Sequence, residues 1–444
     1  LVSPSFSPSL FHSSYLNTGG MVHRYDIVVY GATGFTGAYI LKTLATVKLF
    51  EGKSIAVAGR NEKKLRATLD EVASETGVAK VRLYPVIIAD STDEKSIAAM
   101  AKQAKVIVNA VGPYVLYGEA IVKAAIENGA SHVDISGEPT FLEGMQEKYG
   151  EAAKEKGVYI IGACGWDSIP CDLGTDFLKR NFEGTLAYVD TVVKTNPGKA
   201  GYCLNTGTYE SFLLAIKSHV DGSEAKLHKS IMPKALPKLN NDPNFRPPLA
   251  KFQEPGLNAW TMPFMGADKN IVERSQYFDY HENGQSPVKI RTYFTLGSFF
   301  TMIKLAMWGA IIGFFALFGP IRRFLINHPE GCSFGMFKKS GPTKEQVKGT
   351  SFDYFFFGTG WEHGESPDKD LPIKKASAVC HGPDPAYVAT SACICSTALA
   401  LLDDKENLPK GGGVMTTASA FRDTRIYEYL DTMGVTFDMI EKSK

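Results

Sequence analysis

YDIVVYGATGFTG, residues 25–37, couples a short apolar run to a glycine-rich turn. Asp26–Tyr30 is nearly continuous in apolar character, which is how a strand buried on both faces of a parallel sheet reads. The turn spaces its glycines as Gly-x-x-Gly-x-x-Gly. Gly31 permits a tight turn, Gly34 lets the backbone approach a pyrophosphate, and Gly37 allows a helix to pack closely on the strand. With Thr33, Phe35 and Thr36 these residues form a helix N-terminus, whose unpaired N–H groups and positive dipole end favour phosphate. A glycine triplet by itself also fits a plain βα turn. Its place after the first strand of an alternating series is what makes a dinucleotide site of it.

That series continues outward. Strands are expected at Ser54–Ala58, Leu83–Ile88, Val106–Ala110, His132–Ile135 and Tyr159–Ile161, with helices at Gly34–Leu44, Glu62–Ser74, Asp93–Gln103, Gly118–Asn128 and Phe141–Lys156. Strands separated by helices of this length imply βαβ units with right-handed crossovers, and so an α/β fold opening with a doubly wound Rossmann domain. We set this domain at residues 21–180. Beyond it the alternation fails. Strand-like runs at Ala187–Thr195, Lys289–Thr295 and Lys374–Cys380 predict an open sheet in a mixed α+β substrate domain over 181–382. Seven prolines in residues 231–270 predict a long surface loop there. A helix at Ala386–Leu402 belongs to a C-terminal segment, 383–444. Residues 1–20 are rich in Ser and Pro and lack the charges of a secretory or mitochondrial signal, so they are read as a leader or tag expected to add nothing to the fold.

The end of the second strand chooses the cofactor. NAD enzymes place an acid there to bond the ribose 2′-hydroxyl, whereas this strand ends in Gly59-Arg60-Asn61, with Lys63 and Lys64 behind. A guanidinium clamps a 2′-phosphate at two points, so NADP(H) is expected. Asp90, after the third strand, stands either on the adenine side of the crevice or as a helix cap. Asn109, Val111, Gly112 and Pro113, after the fourth, begin its nicotinamide side, where small residues let the backbone approach.

Several separated motifs then carry a resemblance. YDIVVYGATGFTG, NAVGPYVLYGEAIVKAAIENGASHVDISGEP, GACGWDSIPCDLG, HGPDPAYVAT and GGGVMTTASAF resemble the saccharopine dehydrogenase-like oxidoreductases. These are similar to bacterial trans-acting enoyl reductases and, more distantly, to saccharopine reductase. The resemblance runs from Met21 onward. It implies an NADP-binding Rossmann domain, a mixed substrate domain and a C-terminal segment that packs back on the first domain. For the animal members it also implies lipid droplets and membranes as the place of action. It supplies no reaction.

Composition narrows the function classes. A net charge of +1 with spread basic residues gives no ground for nucleic-acid binding. Seven cysteines without a C-x-x-C give no zinc or redox motif, and no metal is expected. Short-chain reductases use Tyr-x-x-x-Lys, and none of the nineteen tyrosines has Lys four residues on. A proton donor must therefore come from the crevice loops: Tyr114, Tyr117, His132, Glu138, Asp167 or Ser168, with Tyr114 and Asp167 preferred.

LGSFFTMIKLAMWGAIIGFFALF, residues 296–318, holds one charge, Lys304, and its length permits a bilayer span. Three readings compete for it: a span, a buried core helix, and a monotopic insertion with both ends cytosolic. The third keeps the C-terminal segment on the side of the Rossmann domain. Expected partners are thus a hydrophobic small-molecule or lipid substrate and, through residues 296–323, a membrane or lipid-droplet surface. A homodimer is compatible with the sequence. Reduction of a lipid C=C or C=O competes with a non-catalytic, NADPH-binding scaffold. Saccharopine reduction is disfavoured, because an apolar anchor suits no charged amino-acid substrate.

Overall fold

A computed structural model describes residues 24–237, 246–365 and 370–440; the expected leader, 1–20, lies outside them. The first part of the chain runs β1 (Tyr25–Tyr30), α1 (Phe35–Thr46), β2 (Ile55–Gly59), α2 (Glu62–Thr76), β3 (Val86–Ile88), α3 (Glu94–Ala101), β4 (Ala104–Asn109), α4 (Tyr114–Glu127), β5 (Ser131–Asp134), α5 (Pro139–Lys156), β6 (Tyr159–Ile161) and α6 (Ile169–Arg180). Its strands pair in parallel in the order β6-β5-β4-β1-β2-β3, the doubly wound arrangement. Two details differ from the sequence reading. The third strand is short, because Ala79–Leu83 forms a helical turn ahead of Pro85 and Leu83 is exposed. The fourth helix begins at Tyr114, because the carboxylate of Glu138, from the next loop, accepts the Tyr114 and Val115 amides at 3.1 and 2.8 Å.

The middle of the chain runs β7 (Thr185–Asn196), β8 (Leu204–Asn205), α7 (Thr206–Val220), α8 (Ser223–Ile231), β9 (Ala250–Glu254), β10 (Leu257–Pro263), α9 (Asp268–Asn283), β11 (Lys289–Leu296), α10 (Phe299–Ala316), α11 (Gly319–Asn327), α12 (Pro329–Cys332), β12 (Phe337–Lys338), α13 (Lys344–Gly349), β13 (Ser351–Trp361) and β14 (Lys374–Pro383). The loop expected over 231–270 is in part a hairpin, β9–β10, and the start of α9. Its prolines fall where a sheet tolerates them: Pro247 and Pro248 ahead of β9, Pro255 in the turn, and Pro263 as the last residue of β10. β13 alternates its faces with period two. Tyr354 and Phe356 join the main core, while Phe355 and Phe357 join Phe252 and Tyr293 on the other side.

The last part runs through a π-helical turn (Pro385–Ala389) into α14 (Thr390–Asp403), β15 (Gly413–Met415), α15 (Thr417–Phe421), α16 (Ile426–Thr432) and β16 (Thr436–Ile440). This segment serves both sheets. β15 adds a parallel seventh strand beside β6, while β16 closes the second sheet beside β14, whose order is β16-β14-β13-β7-β11-β10-β9. α14 is buried almost throughout. Its Cys393, Ile394 and Leu399 share one cluster with Ile27 and Val57 of the first sheet.

Candidate active site

The order of the first sheet reverses between β1 and β4, and the crevice outside their carboxyl ends is where an open α/β sheet takes its ligand. Gly31 has φ +90°, and a Cβ there would stand 2.7 Å from Val111 Cγ2, so the turns after β1 and β4 interlock. A Cβ on Gly37 would lie 2.3 Å from the Gly31 carbonyl oxygen, so that helix and turn touch. Gly34 is different. Its φ is −75°, which any residue adopts, and a Cβ would approach only the Gly31 oxygen, at 3.3 Å. The space over Gly34 is left to a ligand, and the exposed Thr33 borders it. The helical ladder begins with the Ala38 amide bonding the Gly34 carbonyl, which leaves the Phe35, Thr36 and Gly37 amides outside it. The residues present fit a pyrophosphate.

At the end of β2, Arg60 is exposed and makes no hydrogen bond or ion pair among the described residues, so its guanidinium is free for a 2′-phosphate. Asn61 is occupied, its side chain capping α2 through the Lys64 amide at 2.9 Å. Asp90 is not the cap of the third helix, a part taken by Asp93. Its carboxylate instead accepts the Thr92 amide and hydroxyl at 3.0 and 2.8 Å, and these bonds hold it below the usual carboxylate range. Asn109 organises the turn after β4, the expected nicotinamide side. Its Oδ1 accepts the Val111 amide at 3.0 Å, and its Nδ2 contacts His132 Nε2 at 3.3 Å. Burial drops the His132 pKa to about 3, so the ring is neutral and structural. Asp134, lifted to about 7 by burial, accepts the Ser136 and Ala163 amides and so joins the ends of β5 and β6. Gly112 and Pro113 lead from this clasp into α4.

Of the two preferred donors, Tyr114 is badly placed. It is buried, and its hydroxyl donates to the Asn109 carbonyl at 3.0 Å. Burial, then the charge of Asp134, pushes it well above the usual tyrosine range. Tyr114 therefore holds the turn rather than a reacting atom. Glu138 is likewise taken up, by two amides and by the Ser211 hydroxyl at 2.6 Å.

Asp167 is half-buried, and its enclosed Oδ1 has no hydrogen-bond partner among the described residues. It sits between two glycines: a Cβ on Gly137 would be 2.8 Å from its Oδ2, and one on Gly266 would be 2.2 Å from its Oδ1. Burial lifts its pKa to about 6, with the Ala267 amide pulling the other way. Beside it, Asp268 is fully buried and accepts the Tyr354 hydroxyl, while its Oδ1 is unpartnered. Burial, then the Asp167 charge, pushes Asp268 well above the carboxylate range. The two carboxyls thus form an uneven pair, the deeper one the harder to ionise. Asp268, at the start of α9, and Tyr354, in β13, escaped the sequence reading because no motif near them in the chain marks them. The Trp166 ring packs on Phe264 and Phe352 next to this pair.

A glycine-lined crevice at the switch point of a doubly wound sheet, with a guanidinium unpaired among the described residues at the end of β2, is the arrangement of an NADP-binding oxidoreductase. Residues 27–161 match the family model of the saccharopine dehydrogenase NADP binding domain. A lipid droplet localized protein of Caenorhabditis elegans is 48% identical over 94% of this chain and 98% of its own. The human saccharopine dehydrogenase-like oxidoreductase is 39% identical over 95% of this chain and 98% of its own. The saccharopine dehydrogenase (L-Glu forming) of Saccharomyces cerevisiae shares the fold, with a TM-score of 0.51 at 12% identity, over 94% of this chain and 100% of that one. The chain belongs to the saccharopine dehydrogenase-like oxidoreductases, and its cofactor is NADP(H).

Proposed function

We propose that this protein is an NADP(H)-dependent reductase of a hydrophobic, lipid-like substrate, working at the cytosolic face of a membrane or lipid droplet. The observation that carries the chemistry is Asp167, a carboxyl with an unpartnered oxygen among the described residues, set against Gly137, whose neighbour Glu138 caps α4 where the nicotinamide side is expected. Bound NADPH supplies a hydride to a C=C or C=O bond. Gly31, Gly34 and Gly37 with the first-turn amides hold the pyrophosphate, Arg60 holds the 2′-phosphate, and Asn109 shapes the Val111–Pro113 turn. Asp167 holds the proton that the reduced substrate requires, and burial keeps it there, while Asp268, harder still to ionise, stays neutral beside it.

Support for the surface comes from α10. Thirteen of the twenty-three exposed large apolar side chains among the described residues lie between Phe299 and Met336, a concentration that marks an interaction face. Only Met302, Ile312 and Ala316 of α10 are buried, which argues against a core helix. Eighteen residues reach ~27 Å at 1.5 Å per residue, short of a ~30 Å hydrocarbon core. α11 follows at once and returns to pack on α7, so both ends of the hairpin stay with one body. The helix thus suits insertion in the interface plane, with Lys304, Arg322 and Arg323 reaching headgroups and no acid from Leu296 to Pro329. A relative named for lipid-droplet localisation supports the same place.

The test is NADPH oxidation over droplet lipid extract across a pH series. A group protonated below about 6 loses its proton as pH rises through that value, so the reduction rate should fall there. Asp167→Asn should keep NADPH affinity, lower the rate by ~100-fold or more, and flatten this limb. Normal turnover and an unchanged pH profile in Asp167→Asn would remove the carboxyl from the reaction. NADPH binding without oxidation of any lipid fraction by the unmutated protein would favour the scaffold reading.

A further inference from the structure

Helix α7 lies between the apolar hairpin and the crevice. Its Tyr209, Phe212, Leu213 and Ile216 follow helical spacing and pack on the hairpin residues Ile312, Ala316 and Leu325. Ser211 stands about 200° around the helix from Tyr209, at 100° per residue. On that opposite side its hydroxyl donates to Glu138, the carboxylate that caps α4. One helix, ~10 Å across, therefore separates the lipid-facing hairpin from the first turn of α4.

That first turn is the lip of the crevice, and it is apolar. Val115 is 43% and Leu116 58% exposed, directly after the Gly112–Pro113 turn. The other lip carries Met265, 70% exposed, between Phe264, whose ring meets Trp166, and Gly266, which abuts Asp167. Gly137 and Glu138 are consecutive, the first against Asp167 and the second holding Val115. The carboxyl thus sits between the Gly137 loop, whose Glu138 holds the apolar first turn of α4, and the Gly266 loop, which carries the exposed Met265. Scattered exposed apolar residues are ordinary, but here they converge on one titratable group.

We infer that a lipid acyl chain reaches Asp167 across these lips directly from the surface that holds α10, Val115 and Leu116 lining one side of its path and Met265 the other. This rests on the surface reading above, and it adds that the substrate is drawn from the lipid phase rather than from water. The hairpin is then a device for placing the crevice mouth at the depth of the acyl chains.

The experiment uses the full chain on phosphatidylcholine vesicles doped with phosphatidylcholine bearing a photoreactive diazirine in its acyl chain, with adducts mapped by mass spectrometry. Adducts are expected on residues 114–118 and on Met265 as well as on α10. In Leu116→Lys and Met265→Lys the adducts at the altered lip should fall at least about tenfold, while NADPH binding and the α10 adducts persist. Adducts confined to 299–336 would overturn the path and leave the surface reading standing. Adducts nowhere, on a chain that binds NADPH, would overturn both.

Discussion

Three glycines of one motif do three different jobs here. Gly31 and Gly37 are demanded by the protein's own backbone, whereas Gly34 has room around it and an ordinary φ. Such a distinction is legible in sequence only as spacing, since the spacing states which residue faces phosphate but not why. The position of Arg60 was legible for a simpler reason, because the end of the second strand can be read from its apolar run. Arg60→Glu removes a charge-assisted contact, so the NADPH dissociation constant should rise ~10–100-fold with NADH affinity little changed. Calorimetry that finds NADPH and NADH equal in the unmutated protein would refute this use of Arg60. Asp268 was not legible, because nothing near it in the chain announces that the fold will press it against Asp167. Phe334 was likewise missed. It has φ +52° and is 83% exposed, an unfavourable backbone region held by a bulky side chain that the body does not cover. Phe334→Gly should stabilise the fold by roughly 1 kcal/mol and yet weaken vesicle binding. A variant that binds vesicles as before would deny Phe334 a part in the lipid face.

Elements with their own periodicity were the readable ones. Strands β1, β2 and β4 of the first sheet are short, mostly apolar runs, and the burial that makes them apolar is the burial that the structure displays. The hairpin at 250–263 was hidden because proline content speaks for a loop, while edge strands and turns admit proline without losing a ladder bond. The start of α4 was hidden because its cap, Glu138, comes from another loop. For α10, apolar content favoured insertion over burial without deciding it, and the structure supplies what content lacks, namely which face has partners. Replacing Phe300, Met307 and Phe314 together with Gln spares the buried Met302, Ile312 and Ala316. This triple variant should fold, bind NADPH normally and stay at the bottom of a flotation gradient with lipid vesicles. Flotation equal to that of the unmutated chain would mean that α10 is not the anchor.

The molecule closes as one piece, because its end returns to both of its sheets. A fragment ending at Arg180 would leave the β6 edge bare, without β15, and the core side of α1 bare, without α14. It should aggregate and bind an apolar dye, while the full chain melts in a single transition. A monomeric fragment with its own cooperative melt would contradict this. The same return path orders events on the ribosome. Residues 299–336 leave the exit tunnel before residues 390–415, so the greasy hairpin is synthesised well before the strand that completes the cofactor sheet. At typical elongation rates the interval is on the order of ten seconds. On the proposed surface role of α10, the nascent chain then carries its address but not yet its working core. That role would open delivery to lipid, or capture by a chaperone that hides the hairpin, to each copy before the site for the nicotinamide nucleotide is complete.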